Sequence, residues 1–146
     1  MSAASVVVVH RGGCFVISGY SPTPSGVGVI NDHMGALDET VNDSELGEFV
    51  MAALESSGRT VAASSQEISA RLKRLHRLAR VRSQRQFMAG AKAVSVERAS
   101  GELVVSPFAN LGSAGGFEPS GTYIRPDSRD PSDVARSIKM ALEQAT

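Results

Sequence analysis

The chain has 146 residues, 42% of them apolar and 21% charged, with fifteen acidic and fifteen basic side chains. This is enough for one hydrophobic core and too little for two comfortable ones, so a single domain over residues 1–146 is expected. The longest apolar runs, Val6 to Val9 and Phe49 to Leu54, fall far below the roughly 18 to 20 residues of a membrane-spanning helix, which excludes one.

No basic start, apolar core and small-residue cleavage site mark the N-terminus, and cytoplasmic residence is expected. Met1 to Ser5 is small and polar and is expected to fray. Val6 to His10 and Cys14 to Tyr20 flank Gly12-Gly13 and read as strand, turn, strand. The lone cysteine, Cys14, reads as a small buried hydrophobe. Ser21 to Gly26 carries two prolines, which donate no ladder hydrogen bond, and is expected to be a loop before a short strand at Val27 to Asn31.

The first helix is expected over Asp43 to Ser57. Asn42 and Glu45 make a capping box, and Leu46, Phe49, Val50, Ala53 and Leu54 fall on one stripe. Gly58 is expected to stop it in the left-handed conformation. A second helix starts from Ser64 or Ser65, with Glu67 in its first turn and Ile68, Leu72, Leu75, Leu78 and Ala79 aligned. Ala91 to Arg98 and Glu102 to Pro107 alternate with period two around Ala99-Ser100-Gly101, which predicts a hairpin at the centre of the sheet with Val94, Val96, Val104 and Phe108 facing helices. Leu111 to Gly116 reads as a glycine-rich link and Thr122 to Ile124 as a short edge strand. The last helix has Asp130 as cap, Pro131 at its first position and an apolar stripe of Val134, Ile138, Ala141 and Leu142. The expected fold is α+β, a mainly antiparallel sheet packed with about three helices.

Charge is segregated along the chain. Residues 1–66 hold two basic residues against seven acidic ones, residues 67–98 nine against two, and residues 99–146 four against six. Arg71, Lys73, Arg74, Arg77, Arg80, Arg82 and Arg85 form a run without an acid, a footprint for nucleic acid or for an acidic protein surface, with an ordinary solvated helix face as the plain alternative.

Reactive constellations are not evident. His10, His33 and His76 share no metal-ligand spacing, and no metal or cofactor is expected. Asp32-His33 are adjacent and not disposed to pair. Ser113, within Gly112-Ser113-Ala114-Gly115-Gly116, lacks the spacing of a nucleophile elbow, and the segment lacks the lysine of a phosphate loop. With two tyrosines, five phenylalanines and no tryptophan, a single-strand stacking platform is disfavoured. A binding protein is expected, not an enzyme, and no small-molecule substrate.

From about Phe15 to Leu142 the chain resembles the contact-dependent growth inhibition immunity proteins of bacteria. The residues that carry the resemblance are the strand Phe15 to Tyr20, the helix Asp43 to Ser57, the segment Phe87 to Val96 leading into the strand that ends at Pro107, Gly115-Gly116-Phe117, and the closing amphipathic helix. The resemblance implies a small non-catalytic protein that binds and neutralises, inside the cell, the C-terminal toxin domain of a cell-surface effector, often a nuclease. Nuclease toxins that hold phosphates are cationic, so Asp38, Glu39, Asp43, Glu45 and Glu48 are the first surface to expect against such a toxin. These acids also suit a helix start for its dipole alone. In this reading nucleic acid and membrane are not partners. The rival reading is a small nucleic-acid-binding regulatory protein that uses the basic face around Arg71, Arg74, Arg77 and Arg80.

Overall fold

The computed structural model describes residues 3–146. Its strands are β1 (Ser5–Arg11), β2 (Cys14–Pro22), β3 (Gly28–Asp38), β4 (Lys92–Ala99), β5 (Glu102–Asn110) and β6 (Phe117–Pro119), and its helices α1 (Asp43–Ser57), α2 (Ser65–Leu78), α3 (Gln84–Met88), α4 (Gly112–Gly115) and α5 (Pro131–Gln144). The strands make one sheet in the order β3-β2-β1-β4-β5-β6, antiparallel at every pairing. The fold is α+β, and three of the helices are long: α1, α2 and α5.

Helices cover both faces of this sheet, which explains the unbroken valine run in β1. Val6 and Val8 point to the side of α1 and α5, where they meet Leu46, Val50, Val134 and Ile138. Val7 and Val9 point to the other side, toward Leu75 of α2 and Phe87 and Met88 of α3. A strand buried on both faces needs apolar residues at every position rather than at alternate ones. The central pair is β1 with β4, where Val6 opposes Val96 and Val8 opposes Val94. The predicted hairpin is thus central through β4, while β5 lies one strand further out. Val94 and Val96 face α1 and α5, Phe108 faces the opposite layer, and Val104 is buried as well.

The helix signals hold at the N-terminal ends. The Asn42 carboxamide oxygen accepts from the Glu45 N–H at 2.8 Å. Ser64 and Glu67 form a reciprocal capping box, and Asp130 caps α5 with Pro131 in its first turn. Gly12 and Gly13, both at positive φ (55° and 77°), give β1 and β2 a two-residue hairpin turn whose twist matches the strands. Gly47 has a different role. A Cβ built there would lie 1.8 Å from the Pro131 carbonyl oxygen, so the lack of a side chain is what lets α1 and α5 touch.

Several expectations are corrected. Met1 and Ser2 lie outside the described residues, but Ser5 is not frayed: it starts β1, pairs with Tyr20 and is fully buried. The third strand does not stop at Asn31. It runs to Asp38 because the β2–β3 register shifts between Ser18 and Tyr20, and Asn31 turns inward to donate to Ser21 Oγ (2.9 Å) and accept from the His33 N–H (2.8 Å). That bulge accommodates an Asn-Asp-His string of weak strand preference. β2 also continues to Pro22, opposite Gly28, which shortens the loop. Gly58 is right-handed (φ −69°), and α1 ends instead on tight bonds from the Gly58 and Arg59 N–H groups to Glu55 and Ser56. The edge strand is Phe117–Pro119, and Ile124 contributes only a single bridge to Val105. The Gly112–Gly115 segment is a helical turn, not an irregular link. Cys14 is half-buried, at the strand end nearest the Gly12-Gly13 turn.

Candidate functional site

The acidic candidates form one continuous stretch from the end of β3 into the second turn of α1, on the α1–α5 side of the sheet. Asp38 accepts from the backbone N–H of Thr40 (2.9 Å) and its hydroxyl (2.7 Å), and these two bonds, the backbone one first, hold its carboxyl below the usual aspartate range. Glu39 meets His10 Nε2 at 2.9 Å, and Asp43 pairs with Lys139 of α5. Glu45 and Glu48 are exposed. The Glu45 carboxylate accepts from the Asn42 side-chain amide (3.4 Å) and not from its backbone N–H, so the expected capping box is formed only in its Asn42 half. Glu48 accepts from the Ser44 hydroxyl, and neither carboxylate has a cation within ion-pair distance among the described residues. Asp38 is likewise exposed and has no cation within ion-pair distance among the described residues, so Asp38, Glu45 and Glu48 are the carboxylates of the stretch free to meet a cationic partner, whereas Glu39 and Asp43 are already paired.

Glu39 and Thr40 of the same stretch line a groove of about 540 Å³ together with His10, Phe15, Lys92, Lys139, Leu142 and Glu143. Phe15 and Leu142, each less than a tenth exposed, make an apolar floor, and the His10–Glu39 and Lys139–Asp43 pairs stand around it. An apolar floor with a charged rim is how protein-recognition surfaces are built, with anchors at the centre and charge at the margin. Only Glu39 of this set was expected from the sequence. Thr40 adjoins it in the turn after β3, and the rest come from β1, β2, β4 and α5 and meet only because the strand ends converge, so no local pattern could have grouped them.

The basic candidates separate into two kinds. The Arg71 side chain is only 11% exposed and is engaged on three sides, by Asp32 Oδ1 (3.2 Å), the Ile30 carbonyl (3.2 Å) and Glu67 (3.6 Å). Arg74 donates to the Asp32 carbonyl at 3.3 Å. Both guanidinium groups fasten α2 to the edge strand β3. Arg77 and Arg80 are exposed, as are Lys73, Arg82 and Arg85, and none of these five has a carboxylate within ion-pair distance among the described residues.

The three histidines lie apart. His10 is paired with Glu39, His33 presents its ring edge-on to Phe49, and His76 contacts Gln84 at 2.8 Å. Asp32 and His33 diverge, one toward Arg71 and the other toward Phe49. Among the described residues no three His, Cys, Asp or Glu side chains gather in a way that could hold a metal ion, and no helix is long and apolar enough to cross a membrane.

No protein-family model matches the chain, and no curated protein matches its sequence. Its fold does match solved structures. A protein of unknown function from Neisseria meningitidis superposes with a TM-score of 0.76 at 16% identity, covering 98% of this chain and 95% of that one. A chain of the CdiA-CT/CdiI toxin and immunity complex from Yersinia pseudotuberculosis superposes with a TM-score of 0.74 at 16% identity, covering 98% and 97%. Both likenesses span nearly every residue, and at this identity they are likenesses of fold: the chain folds like a component of a toxin–immunity pair.

Proposed function

We propose that this chain is an immunity protein of the contact-dependent growth inhibition kind, which binds the toxin domain of a cognate effector in the cytoplasm and neutralises it by occupancy, with no catalysis of its own. The observation that carries this reading is the end-to-end likeness to a chain of a toxin and immunity complex, at a TM-score of 0.74 over 98% of the residues. The surface supports it. An inhibitor that works by binding needs an apolar centre with charge around it, and the groove over Phe15 and Leu142, with Glu39, Lys92, Lys139 and Glu143 in its lining, has that form. The unpaired carboxylates of Asp38, Glu45 and Glu48 suit a cationic partner, as a nuclease that grips phosphates would be. The test is expression of the toxin domain encoded immediately upstream, with and without this protein. Growth restored only when both are made is the expected result, and unrelieved toxicity at equal expression would overturn the reading.

A further inference from the structure

The charge segregation of the sequence becomes a segregation across the sheet. The acidic stretch enters α1, on one face, whereas Lys73 and Arg77 belong to α2, Arg80 and Arg82 to the link after it and Arg85 to α3, and α2 and α3 pack on the other. Lys73 and Arg77 are four residues apart and so share one side of α2, and the exposed Arg80, Arg82 and Arg85 follow in the link and in the first turn of α3. That link is held in place from below. Arg11 of β1 donates to the carbonyls of Ala79 (3.1 Å), Gln86 (3.2 Å) and Phe87 (3.1 Å), and the Gln86 side chain accepts from the Arg82 N–H at 2.8 Å. Five uncompensated cations are thereby mounted on an ordered backbone, which lowers the entropy lost on binding a polyanion.

We propose that this face binds the phosphate backbone of double-stranded DNA. An acidic protein surface would be expected to meet apolar anchors as well as charge, since a few buried anchors carry most protein–protein affinity. Among the described residues the large exposed hydrophobic side chains are Val27, Leu111, Tyr123 and Met140, and none lies between residues 71 and 85. Phosphate contact needs cations alone. A single strand would need aromatic platforms, but the ring at this end, Phe87, is 3% exposed and belongs to the core. Between duplexes, the major groove of B-DNA admits a helix, whereas that of A-form RNA is too deep and narrow for side chains on a helix to enter. Because the two charged faces lie on opposite sides of the sheet, DNA on α2 leaves the α1 side open to a protein partner.

The experiment is fluorescence anisotropy of a labelled mixed-sequence DNA duplex titrated with the full chain over a salt series, with duplex RNA and polyglutamate as competitors. If all five cations engage phosphates, affinity should fall about 500-fold between about 50 and 200 mM salt, a log–log slope of about −4.5. The double variant Arg77→Gln, Arg82→Gln should keep its thermal stability and reduce the slope to about −2.7, since each lost phosphate contact removes about 0.9. The variant Glu45→Lys, Glu48→Lys should still bind DNA with the full slope. Four results would each overturn the proposal: no binding at 50 mM salt, a slope unchanged in the Arg77, Arg82 variant, duplex RNA bound more tightly than DNA, or polyglutamate competing better than either. Because the test needs no toxin, its failure leaves the immunity reading standing, and failure of growth rescue leaves this one standing.

Discussion

Replacing Gly47 by alanine should destabilise the protein although it adds a good helix former to the interior of α1. In an open helix Gly→Ala is worth about 1 kcal/mol of stability. Here the added methyl would lie 1.8 Å from the Pro131 carbonyl oxygen, 2.3 Å from its carbonyl carbon and 2.6 Å from its Cα. All three are backbone atoms, so no rotamer change relieves the overlap, and α1 and α5 would have to separate by more than 1 Å. That separation is resisted by the fully buried Val134, Ala135 and Ile138 of α5 against Leu46 and Val50 of α1, and by the Lys139–Asp43 pair. Overpacking a well-filled core typically costs about 1–3 kcal/mol. An unyielding backbone contact belongs at or above the top of that range, so even after the propensity gain the net loss should be about 2–3 kcal/mol. For a domain of this size that is a fall in Tm of roughly 5–12 °C. Urea and thermal unfolding followed by circular dichroism would measure it, with Gly58→Ala as the control. Gly58 is already right-handed, and a Cβ there would make an ordinary 3.5 Å contact with the Glu55 carbonyl oxygen, so this substitution should stabilise by about 0.4–1 kcal/mol. A Gly47→Ala protein as stable as the Gly58→Ala one would refute the close α1–α5 contact.

Val96→Asp should cost at least about 3 kcal/mol, because Val96 is fully buried opposite Val6 and Val105 and a lone carboxylate has no water there; normal thermal stability would mean the register is wrong. Burial pushes the Tyr20 phenol above its usual value, against a smaller opposing bond with Ser18. The neutral form is the one the fold favours, so its contribution is complete below the unfolded phenol pKa of about 10 and is lost as pH rises through the folded value. Tyr20→Phe should accordingly lose less stability than the parent between about pH 9 and pH 12, and equal losses in urea midpoints would contradict this. Reversing Glu45 and Glu48 to lysine should leave the fold intact and slow association with a cationic toxin by about tenfold at low salt, the difference shrinking at high salt. Stopped-flow rates that do not change would move the contact away from this helix start.

What could be read in the sequence was what is encoded locally. The bounds of α1 follow from Asn42, Glu45 and one apolar stripe; those of α5 follow from Asp130 and Pro131, and in both cases cap and stripe agree. The 99–101 turn likewise declares its hairpin. The second half of β3 is not legible locally because it depends on a bulge and on the pairing of Met34 to Asp38 with Ser18 to Cys14 of β2. The cation run was visible, but not that Arg71 and Arg74 are fastening residues while Arg77 and Arg80 are free. That division depends on where Asp32 falls once β3 has formed. The groove was illegible for the same reason: Phe15 and Leu142 read as core residues, and only the convergence of strand ends with α5 makes them a floor.

The most direct test of the immunity reading is a titration of the purified protein into the purified toxin domain encoded immediately upstream, with toxin activity and heat of binding followed together. One-to-one binding whose saturation coincides with complete loss of activity is predicted. Full toxin activity at a large excess of the protein, or inhibition without a stable complex, would contradict neutralisation by occupancy.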